Sequence, residues 1–167
     1  MPARFHLRCS TLFQASAEEV WAFKTNAKHM QDEFKPFLHA DPSPAEAAFH
    51  RLKQGMLPVR YTLNSTLLGW VPLGDWPVEI QIFEPHRRFV DTSQNAAFSY
   101  WRHEHRLEES EGGIRYVDQV DFTPRSGPHR WIAAGLRELF LYRHRRAARH
   151  LLSIPRATAV ATLRELR

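Results

Sequence analysis

The sequence predicts an α+β fold in which a curved antiparallel sheet wraps around one long C-terminal helix. Three observations carry this. Two runs rich in aromatic and β-branched residues, 98–107 and 114–122, flank Glu-Glu-Ser-Glu-Gly-Gly and read as a β-hairpin. The longest helical pattern comes late, beginning at Pro128 after Ser126-Gly127. Between an opening strand and that helix lie short helices and then several strands, so helices gather at the ends instead of alternating with strands.

The elements follow in order. Phe5, Leu7, Cys9, Thr11 and Phe13 alternate with His6, Arg8 and Ser10, the period of a strand with one buried face. Ser16-Ala-Glu-Glu19 is a capping box, and Val20, Trp21 and Phe23 give the helix it starts an apolar side. That helix is expected to end near Asn26, with a second helical piece over 27–32. Asp41-Pro-Ser-Pro44 reads as a loop. Ser43-Pro-Ala-Glu46 reads as another capping box with Pro at the first helical position, and Phe49 and Leu52 supply an inner face. Residues 58–68 read as a strand, 69–77 as a loop, 76–83 as a strand, 84–87 as a turn and 88–93 as a strand.

The long helix places Trp131, Gly135, Leu139 and Tyr142 at helical spacing, with Ile132, Leu136 and Phe140 beside them. Pro155 is expected to stop or kink it. Gripping that helix in a bent sheet buries its apolar stripe and leaves a cavity between helix and sheet.

The hairpin carries the main candidate site. A turn centred on Glu111-Gly112 sets Leu107 opposite Tyr116, His105 opposite Asp118 and His103 opposite Val120. Trp101, His103, His105 and Leu107 then share one face with Tyr116, Asp118, Val120 and Phe122. Two imidazoles and a carboxylate on an apolar face are expensive unless paired. One reading is a polar anchor or acid/base group, with Asp118 orienting His105 and raising its basicity. The plainer reading, slightly favoured, is a satisfied structural His-Asp pair that fixes strand register. His-x-His also presents two metal ligands on one face. Zinc wants three or four ligands at about 2.0–2.3 Å, and only Asp118 stands as an obvious third, so no metal and no cofactor are expected.

Trp101, Trp76, Tyr116, Phe122 and Tyr61 are candidates for a pocket wall, although inward aromatics are usually core. Glu79, between Val78 and Ile80, is expected to point outward. Asp91 is expected to pair with Arg88 or cap a turn. Arg143, Arg145, Arg146 and Arg149, with His144 and His150, read as a solvated basic helix face. Arg143 sits beside the apolar stripe, within reach of an inner carboxylate or an acidic ligand head.

The chain has 167 residues, enough for one domain with a real core. A formal net charge of +5 raises nucleic acid or anionic membrane as partners. The basic segment lacks interleaved aromatics, so nucleic acid is not expected, and membrane contact is expected to be weak at most. The single cysteine, Cys9, excludes an intramolecular disulfide. Cys9 falls in an apolar alternation, as a small buried hydrophobe does. There is no signal-peptide pattern and no apolar run of about 20 residues, so a cytoplasmic location is expected. Gly-x-Ser-x-Gly, Gly-rich phosphate loops and Cys-x-x-Cys are all missing from the sequence.

Taken together, several segments resemble the START-like, helix-grip superfamily, also called the polyketide cyclase or SRPBCC superfamily, and in particular a bacterial ligand-binding branch of it. They are Ala17-Glu-Glu-Val-Trp21, Trp76 with Glu79-Ile80, Phe83-Glu-Pro85 with Arg88-Phe-Val-Asp91, Trp101-x-His-x-His105, Asp118-x-Val120 with Pro124, and Leu136-x-x-Leu-Phe-x-Tyr-Arg143. They span nearly the whole chain in order. Two positions depart from the branch: Ala96-Ala97 stand where it tends to have Gly-Pro, and Ser93 stands where it tends to have Gln. The resemblance implies one domain over 1–155, with 156–167 as a helical or frayed tail. It also implies a cavity for a lipid, polyketide, steroid or similar apolar molecule.

Such a ligand would pack on Trp101, Tyr116, Tyr61, Trp76, Phe122, Leu136 and Phe140. Its polar end would meet His103, His105, Asp118 and Arg143. The alternative is a cyclase, dehydratase or hydrolase acting on a hydrophobic carbonyl compound through the His-Asp pair. Either a monomer or a homodimer is compatible with the sequence.

Overall fold

The computed structural model describes residues 3–151 and 159–166. The elements run β1 (Arg4–Phe13), α1 (Ala17–Lys24), α2 (Ala27–Phe34), β2 (Leu38–Ala40), α3 (Ser43–Lys53), β3 (Val59–Leu67) and β4 (Val71–Glu84). They continue with β5 (Arg88–Ser93), β6 (Phe98–Ser110), β7 (Gly113–Pro124), α4 (His129–His150) and β8 (Val160–Leu166). The strands form one open antiparallel sheet in the order β2-β3-β4-β5-β6-β7-β1-β8. The long helix α4 packs against β1, α2 and β8. This is the predicted sheet gripping a C-terminal helix.

The hairpin register is the one read from the sequence: Ser110 faces Gly113, Leu107 faces Tyr116, His105 faces Asp118 and His103 faces Val120. A register shift near Ser99 breaks the alternation between Phe98 and Tyr100. Phe98 and Trp101, three residues apart, are therefore both buried, and both join the core with Phe5, Leu7 and Phe122. Ser16 and Glu19 close the expected capping box on α1.

Several expectations need correction. At α3 the helix already includes Ser43, and no side chain caps its N-cap, Pro42. Asp41 Oδ1 instead accepts from the Ser43 backbone N–H (2.9 Å) and hydroxyl (2.7 Å), an Asx-type turn. Strand β4 begins at Val71, inside the expected loop, because its outer half pairs with β3 through a bulge at Ser65/Thr66. The tail is a strand over 160–166, not a helix or a frayed end: Leu163 lies opposite Leu7 and Ala161 opposite Cys9. Pro155 lies outside the described residues.

The inner stripe of α4 is also displaced. Trp131 is 80% exposed, whereas Ala133, Phe140, Leu141, Ala147 and Ala148 are buried together with Arg143 and His144. A face built of alanines and two ionisable groups has little apolar periodicity, so reading the stripe by its aromatics rotated it toward solvent.

Candidate site: a buried ion network beneath an apolar cavity

Asp118 on β7 is fully buried, and five donors converge on it. His103 Nε2–H donates to Oδ1 (2.9 Å), as does the Tyr116 hydroxyl (2.7 Å). His105 Nδ1 is 3.1 Å from the same oxygen. On the other oxygen, Oδ2, His144 Nε2–H donates at 2.9 Å and Arg143 Nη1 sits at 3.2 Å. The Thr11 hydroxyl of β1 completes His144 by donating to Nδ1 (2.9 Å). Strand alternation aims Thr11, His103, His105, Tyr116 and Asp118 at the helix-facing side of the sheet, and α4 supplies Arg143 and His144 from above.

A second carboxylate balances the cations. Arg143 Nε donates to Glu33 of α2 (2.6 Å), and Lys24 of α1 donates to the other Glu33 oxygen (2.6 Å). Lys24 also lies over the Tyr116 ring, 4.2 Å from its centroid. All four charged side chains are 0–1% exposed. Two cations and two anions thus cancel, and such charges are tolerated inside only because each is paired and hydrogen-bonded.

The protonation states follow from this packing. Burial alone would raise the Asp118 carboxyl, but Arg143 and His103 outweigh it and hold the group well below the usual carboxylate range. Glu33 is likewise lowered, its burial overcome by Lys24 and Arg143. Burial lowers His103 to about 4, helped by neighbouring His105, against the pull of Asp118. Burial also lowers His144, again against Asp118. Both imidazoles are neutral at pH 7. Burial, reinforced by Asp118, pushes the Cys9 thiol up to about 12, so it is inert as a nucleophile.

Above this network lies a cavity of about 410 Å³ between the sheet, α2 and α4, partly open to solvent. Tyr61, Trp76, Trp101, Leu136, Phe140 and Arg143 line it, as the sequence predicts for wall residues, and His103 and His105 open onto it. Ala96 and Ala97, one of the two departures from the branch pattern, lie on its wall. A larger groove of about 640 Å³ runs outside, past Lys28, Asp32, His39 and Asn64, but it is shallow and open to solvent.

Three expected site residues are not on the cavity wall. Tyr116 and Asp118 lie beneath it, inside the ion network. Phe122 is fully buried core, stacked on Phe5 with ring centroids 5.5 Å apart. The arrangement of Asp118 also differs from a simple His-Asp pair, since it holds both hairpin imidazoles and a third from α4.

Asp91 is a correction in the opposite direction. It neither pairs with Arg88 nor caps a turn. Arg88 binds Glu84 (2.8 Å), while Asp91 is buried on the cavity wall with Oδ2 3.2 Å from His105 Nε2 and 3.7 Å from His103 Nδ1. Its strand carried a signal, since Phe89 and Asp91 share one face by alternation and Phe89 is core. The basic helix face is corrected too: Arg143 and His144 are buried, leaving Arg145, Arg149 and His150 in solvent. Lys24, Glu33 and Thr11 carry no local mark of a site residue: Glu33 meets Arg143 110 positions on, Thr11 meets His144 133 positions on, and Lys24 joins the network through Glu33.

An open antiparallel sheet gripping a long C-terminal helix, with a cavity between them, is the helix-grip fold. By sequence, residues 11–151 match the model of the family described as Domain of unknown function (DUF8410), and the chain belongs to that family. No curated protein matches the sequence.

Among solved structures, the chain resembles an aromatase/cyclase, Zhui, from Streptomyces sp. R1128, with a TM-score of 0.65 and 12% identity over 89% of this chain and 94% of that one. It also resembles a Rhodobacter sphaeroides protein (TM-score 0.63, 14% identity, 90% and 92% coverage). A third is major latex-like protein 151 from Panax ginseng (TM-score 0.61, 11% identity, 92% and 99% coverage). At these identities the likeness shows the fold alone. No helix among the described residues is long and apolar enough to cross a membrane.

Proposed function

We propose that the protein binds an apolar small molecule in the cavity between sheet and α4, with the molecule's polar end at His103, His105, Asp91 and Arg143. The observation that carries this is the cavity itself: about 410 Å³, with Tyr61, Trp76, Trp101, Leu136 and Phe140 on its wall and Asp91, His103 and His105 clustered there beside them. A pocket of mostly apolar wall with a small convergent polar cluster is the usual form of a small-molecule site. Burying the ligand would contribute roughly 25 cal/mol per Å² of apolar area, with no covalent step required.

The test is fluorescence titration with a polycyclic apolar probe. Leu136→Trp, which fills the cavity from α4, is expected to weaken probe binding at least about tenfold while leaving the melting temperature within a few degrees. Unchanged probe affinity in that variant would refute the cavity as the site.

A catalytic reading is favoured by one observation, that both hairpin imidazoles open onto the cavity. In that reading His105 is the acid/base and Asp118 a positioning residue. His105→Gln would then abolish turnover of a hydrophobic carbonyl compound and spare probe binding. Equal loss of both would point to binding alone.

A further inference from the structure

We propose that Asp91, His103 and His105 form a site for one first-row divalent transition-metal ion, with its remaining coordination positions open to the apolar cavity. Their donor atoms lie within 4.8 Å of one another, and no other His, Cys, Asp or Glu trio among the described residues does this. Strand pairing builds the trio: Asp91 on β5 lies directly opposite His103 on β6, and His105 is two residues further along the same face.

The hydrogen bonds are compatible with one bare nitrogen on each imidazole. Asp118 can only accept, so His103 gives it Nε2–H and keeps a lone pair on Nδ1. The Tyr116 hydroxyl spends its proton on Asp118, so its oxygen accepts from His105 Nδ1–H (2.6 Å). In that tautomer His105 Nε2 is bare; in the other it donates to Asp91 Oδ2, a hydrogen bond that a metal ion would replace. The two nitrogens face Asp91 Oδ2, at 3.7 and 3.2 Å. Three electron-rich atoms converge on one point of the cavity wall.

The surrounding charges do not neutralise that point. Lys24 and Arg143 are matched by Glu33 and Asp118, whereas Asp91 has no Lys or Arg ion pair among the described residues. A cation there is favoured by the local field.

The geometry suits a metal of the zinc, iron or cobalt type. Bonds of about 2.0–2.2 Å place neighbouring ligand atoms roughly 3–3.6 Å apart, close to the two distances to Asp91. Two imidazoles and one carboxylate favour these ions over calcium or magnesium, which want oxygen. Each imidazole already has the outer partner that metal-bound histidines need, donating its second N–H to the Asp118–Tyr116 pair. Phe89 stacks on His105 (centroids 3.8 Å apart) and further fixes that ring. Three protein ligands leave positions free, and those face Tyr61, Trp101 and Phe140, where a ligand's polar oxygen would bind.

The proposal goes beyond the apolar-ligand reading and does not require it. The full-length chain, stripped with a chelator, is titrated with Co(II) and then Zn(II), following cobalt's visible ligand-field bands. Binding of one equivalent is expected, weakened more than about tenfold in Asp91→Asn and in His103→Gln and unchanged in the exposed-site control His50→Gln. In case the variants fail to fold, anomalous scattering from zinc-soaked crystals of the unaltered protein must place an ion between the three side chains. No stoichiometric binding, or ions only at exposed imidazoles such as His29 and His50, would overturn the proposal. A result of that kind with the apolar probe still bound would leave the cavity reading standing.

Discussion

At the scale of the residue, Asp118 holds the interior together. It accepts from Tyr116 and three imidazoles and neutralises Arg143, so its charge cannot be removed without stranding the groups around it. Asp118→Asn should lower unfolding free energy by about 3 kcal/mol or more, read from urea denaturation, because Arg143 then keeps only Glu33. A loss under about 1 kcal/mol would mean the network is not tightly coupled.

His144 makes a pH prediction with a definite sign. Burial lowers its pKa below the ordinary 6.5. Between the lowered value and 6.5 the unfolded chain binds more protons than the folded one, so stability rises with pH there. Its full contribution is present above about pH 6.5 and is lost as the pH falls below that. The metal-free protein should have a lower urea midpoint at about pH 5 than at about pH 7.5, and His144→Gln should flatten part of that slope. A midpoint that climbs on acidification would contradict this.

At the scale of the element, the β6–β7 turn shows how closely the strands seat. Gly113 has φ +142°, and a Cβ there would lie 2.0 Å from the Phe13 carbonyl oxygen at the end of β1. That obstacle is backbone and cannot swing aside. Gly113→Ala should therefore cost well over 1 kcal/mol, measured by thermal or urea unfolding, whereas Gly112→Ala next to it meets only its own positive φ and open space.

The same hairpin marks what was legible in the sequence. The pairing of 101–110 with 113–122 was read correctly, because the turn at Glu111-Gly112 sets Ser110 opposite Gly113 and alternation does the rest. The position of Asp91 was not, because no local rule says which strand lies beside β6. The inner face of α4 was misread for a related reason. Its buried side is small or charged, and charged residues read as solvent-facing until their partners Asp118 and Glu33 are in view.

At the scale of the molecule, the α+β class and the sheet around a terminal helix were legible from element order. The three-residue β2 at one edge and β8 at the other were not. Short, sparsely apolar segments such as 38–40 and 160–166 become strands only because a neighbour's edge is available to them. The cavity is likewise a property of the whole. The sheet's aromatic side chains and Leu136, Leu139 and Phe140 of α4 approach without meeting, and no single segment encodes that gap.

The seat of β1 between β7 and β8 has a consequence for how the chain comes to be folded. Of the strands in this sheet β1 is made before the others, and its two neighbours, β7 and β8, are made after them; His6 pairs with Asp121, 115 positions downstream. Its greasy face, with Phe5, Leu7 and Phe13, has no permanent cover until β7 and α4 have been made. Closure by such distant partners is slow, on the order of milliseconds to seconds. Until then the nascent chain is a natural client for chaperones.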